Sequence, residues 1–132
     1  MADRDSPYAM DRRSHHAIPL RGVGNLAQGT RVFGEGSRDH CEFPRHEKYA
    51  LVDQLNRASD AVSLLIAEGS GLQTDALFSH RLGLAVGETF EVIGGSFLAL
   101  DRKYIAPEKQ AEMYEWGDAL ARKINAFRNT LK

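Results

Sequence analysis

Leu51-Val52-Asp53-Gln54-Leu55-Asn56-Arg57-Ala58-Ser59-Asp60-Ala61-Val62-Ser63-Leu64-Leu65 decides the fold. Within it Leu51, Leu55, Ala58, Val62 and Leu65 recur at steps of 4, 3, 4 and 3. That spacing places them on one side of an α-helix and makes a heptad-like seam. Pro44 suits the first turn, where its missing N–H is harmless. Glu47 sets negative charge at the positive end of the helix dipole. Gly69 and Gly71 suit a C-terminal stop in the left-handed conformation.

Two further helices follow on the C-terminal side. One opens at Thr74 or Asp75, either a good N-cap, with a seam of Phe78, Leu82, Ala85, Thr89, Val92, Ser96 and Ala99. Leu77, Leu84, Ile93 and Leu100 widen its apolar face. Gly83, Gly87 and Gly94 share another face, which fits either tight packing inside a bundle or a subunit contact. The other begins after Tyr104-Ile105-Ala106, with Pro107 near its first position. Its seam is Met113, Trp116, Leu120, Ile124, Phe127 and Leu131. Glu108, Glu112, Glu115 and Asp118 fill its first half, and Arg122, Lys123, Arg128 and Lys132 its second. This order matches the helix dipole and reads as a solvated face rather than a binding patch.

On the N-terminal side the pattern weakens. Leu26, Gly29, Phe33, Gly36 and His40 form a ragged helical stripe, and Gly29, Gly34 and Gly36 each disfavour helix by up to about 1 kcal/mol relative to alanine. Residues 1–24 hold Pro7, Pro19, Gly22 and Gly24 and no sustained period, so they read as a mobile N-terminal tail. Arg12, Arg13, His15 and His16 give that tail a basic cluster, diluted by Asp3, Asp5 and Asp11. The predicted organisation is all-α: a tail over 1–24 and an antiparallel up-down four-helix bundle over 25–132.

The 132 residues carry 17 Lys+Arg and 18 Asp+Glu, a formal net charge of -1. That balance argues against coating nucleic acid by charge alone. One domain of this length can bury a core without disulfides or metals. No uninterrupted apolar run approaches the ~20 residues of a membrane span, so no membrane partner is expected. The single Cys41 and the lack of a secretory leader point to the cytoplasm.

The chemistry-bearing residues make no strong motif. His40, Cys41 and His46 match no zinc spacing and lack a fourth ligand, and nothing around Cys41 suggests an oxyanion hole. Glu68-Gly69-Ser70-Gly71 lies between helices, whereas a phosphate loop follows a strand. Gln54, Arg57, Glu68 and Glu91 sit on or beside the seams. They read as a structural polar network, with Arg57 and Glu91 positioned to pair across two helices and fix register. The sharper alternative is a catalytic pair of Glu68 with Glu91, or chemistry at His46. We expect no enzyme activity, no catalytic residue, no cofactor and no metal.

Residues 43–58, FPRHEKYALVDQLNRA, followed by Ile66-Ala67-Glu68-Gly69, resemble the signature of the four helix bundle protein family, FP-x-x-E-x-x-x-L-x-x-Q-x-x-R-A and then N-I-A-E-G. Members also carry the name large-subunit rRNA intervening-sequence proteins. Phe78, Leu82, Ala85, Gly87 and Glu91 match its third-helix pattern, and Tyr104-Ile105 and Leu131-Lys132 fit its later turns. The resemblance covers 43–132 well and 25–42 poorly. This chain has Leu65 where the family has asparagine, and Asp60 and Glu88 where it has serine.

The resemblance implies a left-handed antiparallel four-helix bundle that assembles as a homopentamer, with no established enzyme activity. A related branch, the accessory variability proteins of retroelements, binds nucleic acid and a reverse transcriptase. Two functions follow as expectations. The first is a non-enzymatic homo-oligomeric scaffold, with Val52, Leu64, Gly83 and Gly87 facing a neighbouring subunit. The second is an RNA- or nucleoprotein-binding module that gathers Arg45, Arg57, Arg81, Arg102, Lys103, Arg122, Lys123 and Arg128 on one rim.

Overall fold

The computed structural model describes residues 8–10, 17–19 and 45–131. The stripe expected over 25–42, with His40 and Cys41, lies outside the described residues, as does most of the expected tail. Within that tail a short antiparallel ribbon pairs β1 (Tyr8–Met10) with β2 (Ala17–Pro19), with Ala9 opposite Ile18. No alternating apolar pattern marks it in the sequence. Three long helices make up the rest: α1 (Arg45–Ser70), α2 (Asp75–Asp101) and α3 (Pro107–Arg128). The described core is all-α.

The seams lie where the periodicity puts them. Phe78, Leu82, Ala85, Thr89, Val92, Ser96 and Ala99 are all buried on α2. Leu51, Leu55, Ala58 and Val62 are buried on α1, where Ile66 rather than Leu65 takes the last core position. On α3, Met113, Leu120 and Ile124 are buried, while Trp116 and Phe127, with Leu131 just past the helix end, pack partly exposed against them. Glu47 lies in the first turn of α1. Thr74 caps α2 by accepting a hydrogen bond from the Leu77 N–H at 3.2 Å. Pro107 opens α3.

Helix α2 is the central element, and its contacts run against the numbering of both neighbours. Toward α1, Phe78 and Arg81 meet Gly69, Glu91 meets Gln54, and Gly95 meets Leu55. Toward α3, Phe78 meets Phe127 edge-on at 5.5 Å, Gly83 meets Arg128, and Ile93 meets Gly117. Glycine sets the closeness of these crossings. A Cβ on Gly117 would fall 2.6 Å from Cγ1 of Ile93, and one on Gly69 would fall 2.7 Å from the Phe78 ring. A Cβ on Gly95 would overlap Leu55.

The glycines singled out from sequence behave differently. Gly83 is covered by the Arg128 guanidinium, and at Gly87 and Gly94 no described atom lies within 4 Å of an added Cβ. Tight packing against the described residues therefore does not explain Gly87 and Gly94.

Helix ends also depart from expectation. No described glycine has positive φ. Helix α1 stops instead with short-range bonds, Gly71 N–H to Glu68 O at 3.2 Å and Leu72 N–H to Gly69 O at 3.1 Å. The left-handed position falls on Lys103, with φ 61°. There Tyr104 N–H bonds Ala99 O at 2.8 Å and Lys103 N–H bonds Leu100 O at 2.9 Å. This is the Schellman pattern, in which glycine is the usual residue.

Helix α2 is also long and apolar enough to cross a membrane by length and composition, with half of its most apolar stretch buried against its neighbours. This helix-wide property is not visible in the lengths of uninterrupted apolar runs.

Two substitutions test this packing by thermal or denaturant unfolding. Lys103→Gly removes a left-handed strain and should stabilise by about 0.5–1 kcal/mol after its cost in unfolded-chain entropy. Gly117→Ala should destabilise by a net ~1–2 kcal/mol, because overpacking against Ile93 outweighs alanine's helix preference.

Candidate functional site

Gln54 lies beside Leu55 in the α1 seam, so its side chain leaves the core at the α1–α2 edge. Its Nε2 donates to Oε1 of Glu91 at 3.1 Å. Glu88, one turn back on α2, is half-buried beside Glu91. Burial pushes the Glu88 carboxyl above its usual range, and the neighbouring Glu91 carboxylate pushes the same way. The polar cluster formed here is therefore Gln54–Glu91–Glu88. In the sequence Glu88 stands out only as a departure from the family serine, although its i,i+3 spacing to Glu91 is a readable signal.

The other members of the expected network sit elsewhere. Arg57 is held on its own helix by Asp53, 3.0 Å away, with both side chains largely exposed. It does not pair with Glu91; the i,i+4 acid is nearer and requires no crossing between helices. Glu68 faces Arg81 at 3.6 Å across the α1–α2 turn. Arg81 and Glu91 are ten positions apart on α2, about 15 Å along its axis. Glu68 and Glu91 therefore do not form a carboxylate pair. His46 is exposed at the start of α1. Among the described residues no group of three or more His, Cys, Asp or Glu is placed to hold a metal ion.

The basic residues do not form one rim. Arg45 opens α1 at the end where α2 finishes with Arg102 and Lys103. Arg81 and Arg128 lie at the opposite end, where Arg128 covers Gly83. Arg81 and Arg102 are separated by 21 positions, about 32 Å along α2. Arg57 and Arg122 lie away from the helix ends, Arg122 held 3.0 Å from Asp118. Lys123 is exposed beside it. The reason is geometric: long helices carry their terminal charges to opposite poles.

The most continuous surface feature is the outer face of α2, opposite its buried seam. Gly87 and Gly94 lie bare along its middle. Leu84 and Leu98 flank them toward α1, and Phe90 and Phe97 toward α3, all four exposed. Tyr114 extends the face across the crossing, meeting Phe97 edge-on at 6.1 Å. Of the residues expected to face a neighbour, Gly87 lies here. Gly83 is capped by Arg128, Leu64 is exposed on α1, and Val52 packs against the core.

The described architecture is that of an all-α protein of long amphipathic helices, with a polar cluster at one helix crossing and an apolar outer face on its middle helix. The family model for 23S rRNA-intervening sequence proteins matches residues 37–126, and the chain belongs to that family. The match takes in all of α1 and α2 and nearly all of α3, in agreement with the resemblance carried by residues 43–132. No curated protein matches the chain.

The raised Glu88 pKa has a sign that unfolding can read. A carboxyl raised on folding binds its proton more tightly in the native state. Its contribution is full below the usual carboxylate range and is lost as pH rises through the native value. Glu88→Gln should therefore be at least as stable as the parent near neutral pH. That advantage should shrink as the pH is lowered through the carboxylate range, measured by thermal melts at fixed ionic strength.

Proposed function

We propose that this protein is a non-enzymatic, self-assembling scaffold, and that the outer face of α2 is where a second copy packs. The supporting observation is that α2 is apolar on both sides. A helix that is hydrophobic all round belongs in an interior, yet Leu84, Phe90, Phe97 and Leu98 are each between 43% and 54% exposed. With Leu77 and Tyr114, at 49% and 45%, they offer on the order of 500 Å² of accessible apolar surface, from aromatic side chains of about 200 Å² each and slightly smaller leucines. The half-exposed residues around them bring this toward the ~800 Å² that each partner contributes to a standard interface. The bare glycines in the middle allow another helix to approach to backbone distance.

Helices α1 and α3 both pack on α2 and lie diagonal to each other. We read them as three corners of an antiparallel up-down four-helix bundle, with the segment before Arg45 supplying the fourth. Five copies is the number that the family resemblance implies.

The RNA-binding reading has one observation in its favour, the family's description. The balanced charge and the division of basic residues between two poles weigh against it. If it is right, RNA will bind at low salt and be lost steeply as salt rises.

The scaffold reading predicts that Gly87→Gln, which places a bulky side chain into open solvent in the lone chain, keeps the helical melt and lowers the assembly state by at least tenfold in dissociation constant. Light scattering coupled to gel filtration reads it. Unchanged assembly in Gly87→Gln and in Phe90→Glu would remove α2 from the contact.

A further inference from the structure

We propose that the outer face of α2 is covered by the same face of a second copy, with the two α2 helices antiparallel about a two-fold axis that passes between Phe90 and Glu91. This inference rests on the scaffold reading above and specifies which surface of the neighbour the face meets, and in which register.

The face is built of three rows with a spacing of seven. Its centre line is His80, Gly87, Gly94 and Asp101. Leu84, Glu91 and Leu98 form the row toward α1, and Gly83, Phe90 and Phe97 the row toward α3. Positions seven apart lie two turns apart along one line of a helix, the spacing that keeps two helices in contact at a crossing of about 20°. Each row also reads nearly the same from either end. Reversal about the point between Phe90 and Glu91 sets Gly87 opposite Gly94 of the second copy, and His80 opposite Asp101 of the second copy. Within one position it sets Leu84 opposite Leu98 and brings Phe90 against its own counterpart.

Each part of the face finds a complement in this register. At Gly87 and Gly94 no described atom lies within 4 Å of an added Cβ, so the two backbones can approach along the centre line while the flanking rows fill the sides. His80 and Asp101 are both exposed, and neither side chain forms an ion pair or hydrogen bond among the described residues. Asp101 ends α2, where the helix dipole disfavours a carboxylate; the two-fold register gives it an imidazole donor. Gly83 falls opposite Phe97 of the second copy, whose ring then lies against the Arg128 guanidinium that covers Gly83, a cation–π arrangement. The like-charge approach in this register is that of Glu91 to its counterpart beside the axis, and the Gln54 amide draws each of these carboxylates toward its own α1.

Among the described residues no second apolar face is present to receive this one. Apart from this face, with Leu77 and Tyr114 at its edges, the exposed large apolar side chains are Tyr49 and Leu64, fifteen positions apart on α1. A patch whose match in the chain is itself makes an isologous contact, which closes at two copies. A ring of five needs a head-to-tail contact between two different faces.

Disulfide cross-linking in the full chain tests the register, in a Cys41→Ser background and at a concentration where sedimentation velocity shows the reduced variants assembled. His80→Cys and Asp101→Cys are oxidised separately and after refolding as an equimolar mixture, with circular dichroism melts confirming the fold. The mixture should yield a covalent pair, and each variant alone should stay a single chain. Like positions lie 21 residues apart in this register, about 32 Å along the axis, far beyond the ~7 Å between Cα atoms that a disulfide spans. The double variant His80→Cys/Asp101→Cys should stop at two linked chains. A covalent ladder beyond two, linkage of either variant alone, or an assembled mixture that does not link overturns the proposal and leaves the scaffold reading standing. A folded parent that stays monomeric at every concentration overturns the scaffold reading itself.

Discussion

The close approach of α2 to both of its neighbours is the constraint on which the rest of this structure depends. Leu55 fills the space that a side chain at Gly95 would need, and Ile93 fills the space at Gly117. Both crossings lie near the middle of α1 and α3 and in the C-terminal third of α2, and they set the distances at which the flanking seams meet. Core side chains at near-crystalline density tolerate little change in those distances. Gly69 repeats the arrangement at the turn, where Phe78 closes over α1 and then meets Phe127 of α3. One aromatic ring therefore connects all three helices at that end.

The same packing explains the unusual surface. Once α2 has given one side to α1 and α3, its opposite side still carries leucines, phenylalanines and bare glycines. Solvation disfavours that arrangement in a lone chain, and a contiguous patch of this kind marks an interaction site. Membership of the 23S rRNA-intervening sequence family agrees with the helical core and by itself assigns no chemistry to these residues.

Much of the fold was legible because burial on a helix is periodic. Every α2 seam residue read from sequence is buried, and Thr74 and Pro107 start their helices as their chemistry suggests. The glycines were less legible. A glycine looks the same in sequence whether it excludes a Cβ from an inner contact or lies bare on an outer face. Its phase relative to the seam separates the two: Gly95 lies three and four positions from Val92 and Ala99 of the seam, whereas Gly87 and Gly94 have no seam residue at either spacing. Lys103 carried no signal at all, since lysine is not the residue that the left-handed position of a Schellman turn selects. The polar cluster was half legible. Gln54 and Glu91 lie beside the seams and do meet, but Arg57 has an acid four residues away at Asp53. Glu68 was drawn to the nearer Arg81.

The central claim is that the outer face of α2 is an interior surface of an assembly. Native mass spectrometry of the full chain at low ionic strength, with and without short RNA, tests it most directly. A discrete species at two or more times the mass of the 14.7 kDa chain, formed without RNA, is expected. A species at the mass of one chain across all concentrations would contradict it.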